Sequence, residues 1–163
     1  MSTLIQWKMK TKIGPIYLTA SEKGLVSVMT EVSTAPVIKS ILGNQAEIVN
    51  LREAVTQLEE YFQGKRKKFT LSLKPEGTDF QKKVWKQLQK IPFGKTCSYK
   101  EIAIRIKNKK AVRAVGSANG KNPFFIIVPC HRVIASDGSL GGYAGGLEVK
   151  IKLLKLEKAV NSQ

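Results

Sequence analysis

The sequence predicts an α+β protein in two parts: a small sheet-and-helix α/β domain over residues 1–76 and a mostly helical domain over residues 77–163 that contains a helix-turn-helix. Three observations lead there. Residues 1 to about 30 alternate apolar and polar types, with Ile16, Leu18 and Ala20 on one face and turn residues at Gly14-Pro15 and Glu22-Lys23-Gly24, which is the period of a small antiparallel sheet. Lys74-Pro75-Glu76-Gly77 reads as a linker. Beyond it the chain turns more basic, and two S/T-x-x-E/Q patterns announce helix starts.

Each element has its own signal. Asn50 with Glu53 suggests a capped helix start, followed by an apolar stripe of Leu51, Ala54, Val55, Leu58, Tyr61 and Phe62 that Gly64 ends. The basic run Lys65-Arg66-Lys67-Lys68 is read as solvated and dipole-compensating. Phe69, Leu71 and Leu73 alternate as one more strand. Thr78 and Gln81 form a capping-box pattern, and the stripe Phe80, Val84, Trp85 and Leu88 runs to the break at Ile91-Pro92-Phe93-Gly94. Ser98 and Glu101 repeat the pattern before Ile102, Ala103 and Ile106, and Lys107-Asn108-Lys109-Lys110 turns the chain into a third helix reaching Asn119.

These two short helices are the pattern of a helix-turn-helix, whose second helix enters a groove of DNA. In that helix Ala111, Ala114, Val115 and Ala118 share the inward face, which leaves Arg113, Gly116, Ser117 and Gly120 outward. A glycine inside so short a helix costs about 0.5–1 kcal/mol relative to alanine, so the bare face asks for a reason. The apolar run Phe124 to Val128 reads as a buried strand that Pro129 stops, Asp137-Gly138 as a hairpin turn, and Glu148 to about Lys158 as a last helix packed on Leu147, Ile151 and Leu154.

With 163 residues and 42% hydrophobic content the chain is long enough for a real core. No stretch approaches the roughly 20 apolar residues of a membrane span and no apolar leader follows Met1, so the expectation is a cytoplasmic protein, or a nuclear one in a eukaryote. Residues 78–163 carry 17 basic and 5 acidic side chains, leaving this half with +12 of the net charge of +16. A polyanion, nucleic acid first, is the expected partner, with a lysine-rich solvated surface as the alternative. Two cysteines and one histidine give neither a disulfide framework nor a metal-ligand set, so no zinc is expected. Cys97, in the polar stretch Gly94 to Ser98, has no base near it in sequence and is read as incidental.

Cys130 and His131 are the chemical centre of the sequence. A thiol just after a core segment is half-buried yet reachable, and an imidazole is the group best able to take its proton near neutral pH. Taken alone, the pair reads equally as an activated nucleophile or as an inert buried cysteine beside a histidine. Adjacent residues seldom point the same way in extended chain, so a bridging water is the expected link between them. The glycines at 138, 141, 142, 145 and 146 around Tyr143 suggest a loop that passes close to a ligand, and a carboxylate such as Glu157 at the end of the last helix would suit the third member of a nucleophile–base–orienter set.

Cys130-His131-Arg132-Val133 after Val128-Pro129, Arg113-Ala114-Val115-Gly116 and Asn122-Pro123 upstream, and Tyr143-Ala144-Gly145-Gly146-Leu147 downstream together resemble the methylated-DNA-protein-cysteine methyltransferases, or O6-alkylguanine-DNA alkyltransferases. The likeness is dense over residues 77 to 158 and looser before them, where it implies a ribonuclease-H-like domain lacking the zinc ligands of some relatives.

The resemblance implies that Cys130 accepts an alkyl group from O6-alkylguanine, and from O4-alkylthymine, once and irreversibly, while His131 takes the thiol proton through water and Glu157 orients His131. It further implies that Asn122 braces the active-site turn and that Tyr99 contacts a phosphate and donates toward the guanine. Arg113 would fill the gap left by a flipped nucleotide, with Ala114, Gly116 and Ser117 beside it on double-stranded DNA, in the minor groove. The Val133 N–H, Tyr143, Ala144 and Gly145 would line the base pocket. The transfer chemistry needs no cofactor or metal, and a monomer is the expectation for this chain. Phe125 stands where relatives often have proline and Ala144 where some have serine, which bears on pocket width. A binding-only lesion sensor is the alternative that Cys130 argues against, and a Cys-His hydrolase would leave the basic half unexplained.

Overall fold

The computed structural model describes residues 2–158 and divides the chain into two compact units, Met1–Glu76 and Gly77–Gln163. In the first, β1 (Ile5–Met9), β2 (Ile16–Ser21) and β3 (Gly24–Met29) form an antiparallel sheet in that order, with Leu18 opposite Trp7 on one side and Val28 on the other. The alternation predicted for β2 holds: Ile16, Leu18 and Ala20 are fully buried, and helix α1 (Ala46–Phe62) covers them with Leu51, Ala54, Leu58 and Tyr61. Burying each large aliphatic side chain contributes about 1.5–3 kcal/mol, so this single layer of contacts can hold a unit this small.

Two expectations for the first unit fail, both because a side chain or backbone found a distant partner. Asn50 does not cap α1, which begins four residues earlier after Gln45; its amide instead donates to the Ser21 carbonyl at 2.9 Å, tying the helix to the β2–β3 turn. Phe69 to Leu73 is no strand but extended chain touching β3 at one bridge, with Leu25 N donating to Ser72 O and Lys74 N to Leu25 O, both at 2.8 Å.

The second unit is built from α2 (Asp79–Leu88), α3 (Tyr99–Arg105), α4 (Val112–Gly120) and α5 (Leu147–Leu156), with two-residue strands β4 (Cys97–Ser98) and β5 (Val133–Ile134) paired in parallel. Both predicted capping boxes form, at Thr78 with Gln81 and at Ser98 with Glu101. Each satisfies two backbone donors that would otherwise be orphaned, and losing the capping hydroxyl costs about 1 kcal/mol. α2 packs on α4, where Trp85 Nε1 donates to the Ala118 carbonyl at 2.8 Å.

Phe124 to Val128 is buried as expected but is not a strand. It coils, with Val128 N donating to Phe124 O at 3.0 Å and Ile126 at φ 72°. A β-branched residue there costs on the order of 1–3 kcal/mol and persists only where its surroundings over-determine it. Asn122 does so: its amide donates to Phe124 O and Val128 O at 3.2 and 2.8 Å while its carbonyl accepts from Phe124 N at 2.9 Å. The turn at Asp137-Gly138 likewise forms without a hairpin, because β5 pairs with β4 instead of folding back on a following strand.

Candidate active site

A 3-10 turn, Cys130–Arg132, sits between the Asn122-braced coil and β5, and the β4–β5 pairing fixes its far end through Cys97 opposite Val133. Cys130 is 2% exposed and lines a cavity of about 260 Å³ together with Tyr99, Gly116, Asn119, Gly120, Gly142, Tyr143 and Ala144. The predicted thiol is therefore more deeply buried than half. Burial holds its pKa above the ordinary thiol value, and hydrogen bonds from the Asn122 and Tyr143 side chains with the charge of Lys150 offset only part of that rise.

His131 does not line the cavity and is wholly buried. Its Nε2 lies 2.6 Å from Glu157 Oε2, so the predicted orienting carboxylate is in place. Burial raises the Glu157 pKa, but the hydrogen bonds and charges of His131 and Arg132 outweigh it and hold the group down to about 2. An ionised carboxylate only accepts, so Nε2 carries the proton and donates it toward Glu157. Nδ1 is then the lone-pair nitrogen, and it meets no protein partner among the described residues. Burial lowers the His131 pKa more than Glu157 raises it, so the imidazole is neutral and able to act as a base.

Sequence reasoning missed three residues. Arg132 is buried and donates from Nε to Glu157 Oε1 at 2.7 Å and from Nη1 to the Ile91 carbonyl at 2.7 Å, closing a His131–Glu157–Arg132 cluster. Asn119 reaches from α4 to the Cys130 carbonyl at 3.3 Å. Lys150 is buried beneath the glycine-rich loop. Nothing in a helical periodicity marks a lysine or an asparagine as inward; an arginine directly after Cys-His was the one available signal.

Of the expected pocket residues, Tyr143 and Ala144 line the cavity but Val133 and Gly145 do not. The Val133 N–H is spent on the Cys130 carbonyl within the turn. Gly145 packs behind: a Cβ there would lie 2.8 Å from the Phe125 ring, which itself stacks on Tyr143 with centroids 5.2 Å apart. Tyr99 is half-buried, and its hydroxyl would meet a Cβ at Gly141 at 3.3 Å.

On α4, Arg113 and Ser117 are exposed and Gly116 half-buried. Ala114 is exposed too, against the expectation of an inward face, because Val115, Ala118 and Asn119 take the buried stripe. Cys97 lies buried in β4, not in a polar turn, and burial pushes its thiol up to about 11.

Residues 79–159 match the family model of the 6-O-methylguanine DNA methyltransferase DNA-binding domain, and residues 4–75 match that of its ribonuclease-like domain. A methylated-DNA–protein-cysteine methyltransferase of Methanosarcina barkeri is 51% identical over 151 residues, covering 91% of this chain and 94% of that protein. The constitutive enzyme of Bacillus subtilis is 52% identical over 113 residues, covering 69% and 68%. Among solved structures, Mycobacterium tuberculosis OGT in complex with DNA superposes with a TM-score of 0.85 at 41% identity, over 95% of this chain and 93% of that one. The chain belongs to the methylated-DNA–protein-cysteine methyltransferase family.

Proposed function

We propose that the protein reverses alkylation of guanine O6 in double-stranded DNA by moving the alkyl group to Cys130, once per molecule. The observation that carries this is the Cys130 thiol at the wall of a cavity shared with the DNA-facing helix, backed by an imidazole whose base nitrogen is free and whose other nitrogen is held by Glu157. Guanine has to leave the stack to reach a buried thiol, at a cost of a few kcal/mol. Arg113 offsets part of it by filling the vacated space from the exposed face of α4, with the α4 face set in the minor groove.

The glycines support that reading. At Gly116 the nearest protein atom to an added Cβ is 3.9 Å away, and at Gly120 none lies within 4 Å, so the fold itself has no need of glycine at either position. Their helical cost of about 0.5–1 kcal/mol each is explained by something outside the protein coming close, and DNA carrying its phosphates past a +12 half-molecule fits.

In the reaction, His131 Nδ1 takes the Cys130 proton through a water molecule, and Glu157 holds the imidazolium that results. The thiolate sulfur bonds to the alkyl carbon as the carbon–O6 bond breaks with its electron pair on the base, which Tyr99 and the buried proton relay reprotonate. A thioether has no ready reverse step, hence the single turnover. The same chemistry extends to O4-alkylthymine. The protein works as a monomer in the cytoplasm; among the described residues no helix is long and apolar enough to cross a membrane. The test is intact-mass measurement after incubation with a duplex carrying one O6-methylguanine: a gain of one methyl mapped to Cys130 is expected, and unchanged mass with tight binding would make the protein a lesion sensor.

A further inference from the structure

Lys150 is a buried cation that the transfer chemistry above leaves unused. It sits on α5 with no exposed surface, and its ammonium donates to three backbone carbonyls: Val133 at 2.7 Å, Leu140 closer still, and Gly142 at 3.4 Å. Three donors meet three acceptors, so the group is fully satisfied as a cation, whereas a neutral amine would leave one carbonyl unmatched. Burial pulls its pKa down to about 8 and the Cys130 charge pushes back, which leaves it protonated at neutral pH. Of the other buried charges among the described residues, Arg132 and Glu157 neutralise each other. Lys150 faces only dipoles, Cys130, and the neutral imidazole of His131.

What Lys150 holds is the Leu140–Gly142 backbone, the stretch just before the point where Tyr143 stacks on Phe125. Among the described residues the backbone bonds between β5 and α5 are short in range: Ala135 N to Ser139 O, Gly138 N to Ala135 O, Ser139 N to Asp137 Oδ1 and Gly146 N to Tyr143 O. Gly142, Tyr143 and Ala144 of that segment form one wall of the Cys130 cavity. Accepting the proposed transfer reaction as the starting point, we infer that Lys150 is a positioning residue for it, stapling the Leu140–Gly142 backbone to the end of the Cys130 turn so that the cavity wall stands at the distance a flipped base requires. Its positive charge beside Cys130 favours the thiolate in the same stroke. The thiolate still forms its sulfur–carbon bond and the base still leaves with the O6 electron pair; Lys150 exchanges no proton with either.

The test uses full-length Lys150→Met, Lys150→Gln and Lys150→Arg proteins, with single-turnover transfer from a methylated duplex at saturating protein, duplex affinity by fluorescence anisotropy, and hydrogen exchange read segment by segment. Misplacing a reacting group by about 1 Å costs up to about a hundredfold in rate. Lys150→Met is expected to slow the saturated rate at least about tenfold, with affinity within about twofold of wild type. Exchange should rise in residues 139–146 while α2 and α4 keep their protection, and rates should fall in the order wild type, Arg, Gln, with the Arg–Gln order deciding the matter if the Met protein does not fold. Wild-type rates in the Met or Gln protein overturn the inference. So does slowing that comes with faster exchange throughout the unit, because Lys150 is then only part of the fold. A wild-type protein that takes no methyl onto Cys130 removes the transfer reading itself, and this inference with it.

Discussion

The molecule holds two free cysteines, both buried, and the proposed reaction uses only Cys130. Cys97 lies in β4, directly opposite Val133, three residues from Cys130 in the partner strand. Burial raises both thiols, and at Cys97 the Glu101 carboxylate adds to the rise while Arg105 opposes it. At Cys130 the Asn122 and Tyr143 side chains and the Lys150 charge all work against burial. Both thiols border a cavity, Cys130 one shared with Tyr99, Gly116 and Tyr143 and Cys97 one shared with Ser98, Lys100 and Glu101, so the donors at the sulfur make the difference. A buried thiol is thus inert by default, and what favours the thiolate is side-chain donors aimed at the sulfur.

The sharpest way to break this comparison is to exchange the thiols for hydroxyls one at a time. Cys130→Ser should reduce methyl transfer to background while leaving duplex binding intact, and Cys97→Ser should transfer at close to the wild-type rate, both read by intact mass. Comparable losses in the two proteins would show that the contrast between the sites is illusory.

Next in size is Glu157→Gln. Removing the charge that orients His131 should slow transfer by roughly 10²–10⁴-fold. It also leaves Arg132 buried without its counter-ion, which costs about 3–5 kcal/mol of stability in urea unfolding. A protein that loses rate but no stability would mean that Arg132 finds another partner.

Arg113→Ala should slow repair of duplex DNA far more than reaction with a free O6-alkylguanine base, because only the duplex charges the flipping cost of a few kcal/mol. Equal slowing of both substrates would reassign Arg113 to the fold.

The smallest effect concerns stability. A methyl added at Cys130 should overpack the site and lower the melting temperature, by about 1–3 kcal/mol in free energy. An unchanged midpoint would show that the cavity accommodates the methyl without strain. Acid should act in the same direction. Glu157 is held below its ordinary value and His131 is kept neutral by burial, so at low pH the unfolded chain binds more protons than the folded one. Stability should therefore decline as pH falls below about 6.5, where unfolded histidine begins to charge, and further as it falls from about 4.5 toward the Glu157 value of about 2. Cys130→Ser should share that profile, since neither titrating group is changed.

What could be read from the sequence was what local chemistry decides. Thr78 with Gln81 and Ser98 with Glu101 announce helix starts because both partners sit within one turn. The site motif around Cys130 and the pairing of Glu157 with His131 were legible for a different reason, a likeness carried by several motifs together. Where the outcome hung on a remote partner the reading failed. Phe124 to Val128 has the composition of a strand, yet only Phe124 is held in a β-bridge, and Asn122 satisfies the segment's backbone as a coil. Lys150 looks like a solvent-facing lysine between Ile151 and Leu147, and only the carbonyls of a loop several residues upstream make its burial affordable. Asn50 has the form of a cap and serves as a tie between helix and sheet.

The His131–Glu157–Arg132 cluster also has a history in time. Its members are joined across 25 and 26 residues, and Arg132 reaches back a further 41 to Ile91. A chain emerging from the ribosome at roughly 5–20 residues per second presents Cys130 and His131 more than a second before Glu157 exists to orient them. During that interval the thiol has no organised base behind it. The cluster behind Cys130 is therefore organised only when α5 has been synthesised and docked, so the proposed site is the last part of the unit to be assembled.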